Sequence, residues 1–197
     1  AYPPIKSGKG IPLLSQNRQF QFFSNPTYIF PVIPASAATL LKSKGYEVVW
    51  KDGIAENLSP NEFYSFFAKE NPDLIAIETK TPVIRRQWKI VDKLKQICPK
   101  TKIVLMGDHV TTFPEESLKN SKADFIITGG DYDFLLLDLC ESLRKNKKIS
   151  QGIYYRTKNS KIKGRKFILK HNLDETPFID RELTKWRLYG YEKGSGN

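Results

Sequence analysis

The chain has 197 residues, a formal net charge of +11 at pH 7, 40% hydrophobic and 12% aromatic content. That is enough apolar material for one well-buried α/β domain with a small appendage, and it excludes an intrinsically disordered chain. No apolar run approaches the roughly 20 residues that span a bilayer, and Cys98 and Cys140 are too few for a metal cage or disulfide framework, so they read as buried free thiols.

Residues 1–18 carry Pro3, Pro4, Gly8, Gly10 and Pro12 with little periodicity and read as an N-terminal arm, extended or looped. They lack the apolar core and small-residue cleavage site of a secretory signal, so a cytoplasmic protein is expected. The aromatic run 19–23 (QFQFF) is the predicted first strand, ended by the turn signal Ser24, Asn25, Pro26. The apolar, proline-marked stretch 27–34 is expected to cover the site as a lid or pocket wall. A helix is predicted at 35–44, with Gly45 placed for its C-terminal cap, and a second strand at 46–50 (YEVVW). Ser59, Pro60 and Glu62 have the spacing of a capping box with proline at the first helical position, which predicts a helix to about Glu70 burying Phe63, Phe66 and Phe67.

Three further strands are predicted at 74–78, 102–106 and 124–128. Each is an apolar run stopped by small, polar or glycine residues and followed by a segment of helical character: from Pro82 to about Ile97, at 114–119, and at 132–145. This alternation predicts a doubly wound parallel sheet of the Rossmann-like, flavodoxin-like kind, five strands in the order 2-1-3-4-5, over residues 19–150. From 151 to 197 the pattern changes to period two around Lys158, Asn159 and Ser160, which predicts a β-hairpin at about 152–170 followed by an extended connector.

In such sheets ligands bind at the carboxyl ends of the strands. That places Asn25, then Thr79, Lys80, Thr81 and Pro82, then Gly107, Asp108 and His109, then Gly129, Gly130 and Asp131 along one rim. The rim offers no nucleophile with a base, and no dinucleotide or P-loop glycine pattern occurs. A phosphorylatable receiver domain shares the layout but needs acidic residues where this chain has Ser24–Asn25 and Glu78–Thr79–Lys80. What remains is a binding rim. Glycines let a bulky ligand approach backbone amides, and the alternative is that each makes a tight strand-to-helix turn.

The segments YIFPVIPASAATLLKSKGYEVVW, IAENLSPNEF, NPDLIAIETKTP, IVLMGDHVTTFPEE and ADFIITGGDYDFLLLDL resemble, in that order, the N-terminal cobalamin-binding domain of B12-dependent radical SAM enzymes. The family pattern after the fourth strand is Gly-Gly-Pro-His, where this chain has Met106, Gly107, Asp108 and His109; after the fifth it is Gly-Glu-Gly-Glu, against Gly129, Gly130, Asp131 and Tyr132. The resemblance implies cobalamin as cofactor, bound without a cobalt-ligating histidine from the first loop, and no metal ligand or catalytic residue on this chain. It also implies a C-terminal radical SAM domain of the same polypeptide, holding S-adenosylmethionine (SAM) and a [4Fe–4S] cluster, which Cys98 and Cys140 cannot supply. The link into that domain is the expected role of residues 151–197. The +11 charge reads as a solvated lysine-rich surface or, alternatively, as a basic α/β module for nucleic acid or another anionic partner; against the module, the aromatics fall mostly on predicted core positions.

Overall fold

A computed structural model of the chain describes residues 1–4, 30–130, 132–157 and 159–189. The fold is α/β. Strands β1 (Leu74–Glu78), β2 (Lys102–Met106) and β3 (Phe125–Ile127) run parallel in that order. The predicted hairpin forms as β4 (Ile153–Arg156) and β5 (Ile162–Lys163), and it joins the sheet antiparallel to β3, making a mixed sheet of five strands.

Two further strands are predicted from the sequence, at 19–23 and 46–50. Residues 19–23 lie outside the described residues. Residues 46–50 form no strand ladder with the described residues. Just after them, residues 51–53 pair with the backbone of Tyr2. Tyr2 donates its N–H to Lys51 O (3.0 Å) and accepts from Gly53 N (2.7 Å), while the Ala1 amine donates to Ala76 O of β1. These first residues, expected as part of an arm, are therefore packed into the domain.

Helices α1 (Val32–Ser43), α2 (Pro60–Glu70), α3 (Ile84–Ile97), α4 (Asp108–Thr112), α5 (Pro114–Asn120) and α6 (Tyr132–Arg144) surround the sheet. The capping box forms: Glu62 N donates to Ser59 Oγ (3.3 Å) and Ser59 N to Glu62 Oε2 (2.8 Å). Helix α1 starts three residues earlier than predicted, so 32–34 form its first turn and not a lid; Pro34 is tolerated there because first-turn N–H groups have no intrahelical partner.

Alternation along the strands sorts the core into two faces. Ile75, Ile77, Ile103, Leu105 and Ile126 meet Phe63 and Phe67 of α2, Val91 and Leu94 of α3, and Leu118 of α5. Val104, Met106, Phe125 and Ile127 meet Ala37 and Leu41 of α1 and Leu135, Leu136 and Leu139 of α6. Cys98 belongs to the first face and Cys140 to the second; both are free thiols. No helix among the described residues is long and apolar enough to cross a membrane.

The connector is not a loose tail. Ile179 and Leu183 pack on Tyr2, Ala35, Ala38, Trp50 and Ile54. Asp180 pairs with Lys42 (2.6 Å), and the Tyr189 hydroxyl donates to buried Asp52 (2.8 Å) while accepting from Trp50 Nε1 (3.0 Å).

Candidate functional site

The parallel register brings the carboxyl ends of β1, β2 and β3 to one edge, and three of the predicted loops meet there. Pairing runs one residue past β1, with Thr79 N donating to Met106 O (2.8 Å). This close pairing decides the residue at 107. Gly107 has φ +113°, and a Cβ there would fall 2.4 Å from the Thr79 carbonyl oxygen, so only glycine fits. Thr79 is itself fully buried, and its hydroxyl has no hydrogen-bond partner among the described residues. A buried unsatisfied hydroxyl costs on the order of 1–3 kcal/mol and calls for an explanation.

Lys80 leaves β1 towards the second loop. Its ammonium lies 2.7 Å from Asp108 Oδ2 and 3.7 Å from Glu78 Oε1; the lysine side chain is 14% exposed, that of Asp108 77%. The cation is thus held by an inner carboxylate and an outer one that faces solvent. Thr81 and Pro82 form a 3-10 turn, Thr81–Val83. His109, on the unpredicted short helix α4, is buried with both ring nitrogens engaged: Nδ1 is 3.2 Å from Thr81 Oγ1 and Nε2 3.1 Å from Glu116 Oε2. Nε2–H can donate to the Glu116 carboxylate, and the Thr81 hydroxyl serves the other nitrogen. Neither nitrogen is left for a metal.

The third loop is tied to the second. Gly129 N donates to Thr111 Oγ1 (3.0 Å), and the Thr111 hydroxyl donates to Gly107 O (2.8 Å). Gly129 has φ +87°, and its bare face is filled by the ring of Phe167. Gly130 differs: no described atom lies within 4 Å of where its Cβ would stand. So Gly107 and Gly129 serve the chain's own packing, while Gly130 alone of the three is open. Asn25 and Asp131 lie outside the described residues.

Beneath the rim, towards α1 and α6, Glu78 accepts from the hydroxyls of Tyr2 and Tyr132, the latter at 3.4 Å, and Ser36 Oγ donates to Asp133 Oδ2 (3.3 Å). Burial, then the Glu78 carboxylate, pushes the Tyr132 phenol far above its ordinary value, so it stays a hydrogen-bond donor. Sequence reasoning missed Glu78, Thr111, Glu116, Tyr132 and Phe167. Glu78 and Tyr132 border the predicted loops, and Glu116 follows the His109 loop but reads as a charge favouring the helix N-terminus, whereas Phe167 carries no local signal.

A groove of 580 Å³ lined by Glu115, Lys119, Arg156, Ser160, Lys161 and Ile162 is a different place. The β3–β4 register puts Tyr155 opposite Phe125, so Arg156 and the hairpin turn sit at the amino end of β3, away from the rim. Among the described residues no group of three or more His, Cys, Asp or Glu side chains is placed to hold a metal ion.

In an α/β domain of this kind, loops gathered at the strand carboxyl ends form the edge where ligands bind. The profile of the B12 binding domain family matches residues 28–134, more than half of the chain, and the chain belongs to that family. Cobalamin is its cofactor. An uncharacterized methyltransferase of Pyrococcus horikoshii, PH0819, is 24% identical over 164 residues, covering 81% of this chain and 35% of its own length. The cobalamin-dependent radical enzyme OxsB, with aqua-cobalamin and SAM bound, shares the fold at a TM-score of 0.70 and 17% identity, over 94% of this chain and 26% of OxsB. The radical SAM methyltransferase TsrM from Kitasatospora setae, with cobalamin and a [4Fe–4S] cluster bound, superposes at 0.58 and 16% identity, over 67% of this chain and 27% of its own. The chain therefore spans about a third of the length of the first and about a quarter of the other two.

Proposed function

We propose that the chain is the cobalamin-carrying part of a B12-dependent radical SAM enzyme of methyltransferase type, with the SAM and [4Fe–4S] chemistry in a C-terminal part of the same polypeptide. One observation carries the reading: the matched region ends at Phe134, having crossed all three rim loops, and those loops converge on one edge that holds an unpartnered Thr79 hydroxyl and an open Gly130. The radical SAM methyltransferase and radical-enzyme neighbours, all several times longer than this chain, support the remainder.

The residues fit the cofactor. Thr79, Lys80, Thr81 and Pro82 are assigned to the lower face of the corrin ring; Gly107, Asp108, Gly129, Gly130 and Asp131, with Asn25 from the first loop, are assigned to its edge and nucleotide tail. Bound cobalamin supplies a cobalt centre able to carry a methyl group. Lys80, fixed between Glu78 and Asp108, presents an N–H donor and a positive charge offset by two carboxylates. His109 positions the Thr81 turn and does not ligate cobalt, since Thr81 and Glu116 occupy its nitrogens. The docked connector gives residues 179–189 a fixed path towards the catalytic part.

Ultraviolet–visible absorption after incubation with hydroxocobalamin and desalting tests this. The chain is expected to retain the corrin spectrum, to bind no iron and to release no 5′-deoxyadenosine from SAM. Lys80→Ala should retain cobalamin with a changed cobalt spectrum, and His109→Ala should leave the axial signature intact. A chain that keeps no corrin after desalting contradicts the reading and favours the anionic-partner module.

A further inference from the structure

The segment after the hairpin lies beyond the residues the family profile covers, yet it returns to the rim. Gly152 N donates to Arg165 O (3.0 Å) and Gln151 Nε2 to Lys166 O (2.8 Å), which lays the segment beside the start of β4. Phe167 then packs against the α1/α6 core. Its ring fills the space beside left-handed Gly129, and its Cβ shares with Leu135 the space beside left-handed Gly152. A Cβ on Gly129 would stand 2.4 Å from Phe167 Cγ, and one on Gly152 3.0 Å from Phe167 Cβ. Four residues on, His171 stacks flat on Phe134 of α6, with ring centroids 4.6 Å apart and planes 4° apart, and its Nε2 lies 3.9 Å from Asp138. The segment is thereby held at both ends against the third rim loop and the helix that follows it.

This arrangement accounts for the contrast between the two glycines. Gly129 is fixed from outside by an aromatic ring and from inside by Thr111, and that leaves its neighbour Gly130 presenting backbone that no other described residue covers. A loop with glycines at 129 and 130 has little of its own to define its shape, since glycine loses more conformational freedom on ordering than any other residue. Whatever holds the loop before a ligand arrives lowers the ordering cost at binding.

We propose that Phe167 is a positioning residue of the cobalamin site. It holds the Gly129–Gly130 loop in the shape that accepts the nucleotide tail, and so makes the site favour a complete corrinoid over one lacking its nucleotide. The inference rests on the cobalamin reading above and adds to it a residue from outside the matched domain.

The test uses the 197-residue chain with Phe167→Ala and Phe167→Leu. Amide exchange is followed without cofactor, and titrations are run with hydroxocobalamin and with cobinamide, which has the corrin ring but no nucleotide. Phe167→Ala is expected to speed exchange at residues 128–133 but not in β1 or β2. It should weaken cobalamin by about tenfold, a loss of preorganisation, and cobinamide by less than about twofold. Phe167→Leu, which keeps an apolar side chain, should fall between Phe167→Ala and the parent on both measures. If Phe167→Ala exchanges faster throughout, it is unfolded and Phe167→Leu decides instead: parental exchange with parental discrimination in that variant overturns the proposal. Equal losses for the two corrinoids, or no loss, in a folded Phe167→Ala likewise overturn it while leaving the cofactor reading standing. A parent chain that binds neither corrinoid removes both.

Discussion

The two faces of the sheet are built to different rules. Under α2, α3 and α5, large side chains such as Phe63, Phe67, Leu94 and Leu118 close on Ile75, Ile77, Ile103 and Leu105. Under α1 and α6, the second turn of α1 is made of the small residues Ala35, Ser36, Ala37 and Ala38, and polar contacts run inside the packing, from Ser36 to Asp133 and from Tyr132 to Glu78. Full burial of one large apolar side chain contributes roughly 1.5–3 kcal/mol, whereas a net hydrogen bond contributes about 1. Apolar burial therefore supplies most of the stability on both faces, since Phe125, Ile127, Leu135, Leu136 and Leu139 are likewise packed into the second. The second face adds small and hydrogen-bonding groups beneath the rim proposed to carry the cofactor.

The largest effect expected from this contrast is on the first face. Phe63→Ala should lower unfolding free energy in denaturant by about 3–5 kcal/mol, while the folded fraction keeps parental cobalamin affinity. A large affinity change there would break the division of labour. Gly107→Ala comes next: its Cβ has nowhere to go beside the Thr79 carbonyl, and the backbone angle is wrong for it. A loss of about 1–3 kcal/mol is expected, together with weaker cobalamin binding because the second rim loop must move.

Tyr132→Phe probes the other face. It removes the phenol that donates to Glu78, and chemical denaturation should show a loss of about 1 kcal/mol. Unlike Phe63→Ala, it should also change cobalamin affinity. The smallest effect is at the surface of α6, where hydrogen bonds from Lys145 and then Tyr46 hold the Glu141 carboxyl down at about 2, against an ordinary 4.5. A carboxyl whose folded value is depressed stabilises the fold above its unfolded value and loses that contribution as pH falls towards the folded one. Thermal melts of the parent should therefore weaken between pH 4.5 and about 2 more steeply than those of Glu141→Gln. Parallel curves would show that Glu141 contributes nothing to the pH dependence.

How much of this was readable in sequence depends on how local each cause is. The capping box at Ser59, the three parallel strands and the α3 and α6 helices follow from patterns a few residues long, and all of them formed. The placement of residues 46–50 depended on a distant partner, and no period-two pattern indicates which strand will lie beside it. The hairpin was legible, but its attachment to β3 was not, since edge pairing is set by the whole sheet. At the rim, the sequence marked Gly107, Gly129 and Gly130 alike. Only the fold separates them, because the Thr79 carbonyl and the Phe167 ring come from 28 and 38 residues away along the chain, by the numbering. His109 was legible as a rim residue, whereas its engagement by Thr81 and Glu116 follows from the short helix that the sequence did not announce.

The central claim is that the rim carries cobalamin at Gly130. Isothermal titration of hydroxocobalamin into the parent and into Gly130→Val tests it most directly, because a Cβ at Gly130 meets no atom of the described residues within 4 Å, its chain neighbours aside. Saturable binding of one equivalent by the parent is expected, and an unchanged melting curve with binding lost in the variant. A parent that takes up no cobalamin at high micromolar concentration, or a folded Gly130→Val that binds it as the parent does, would contradict the claim.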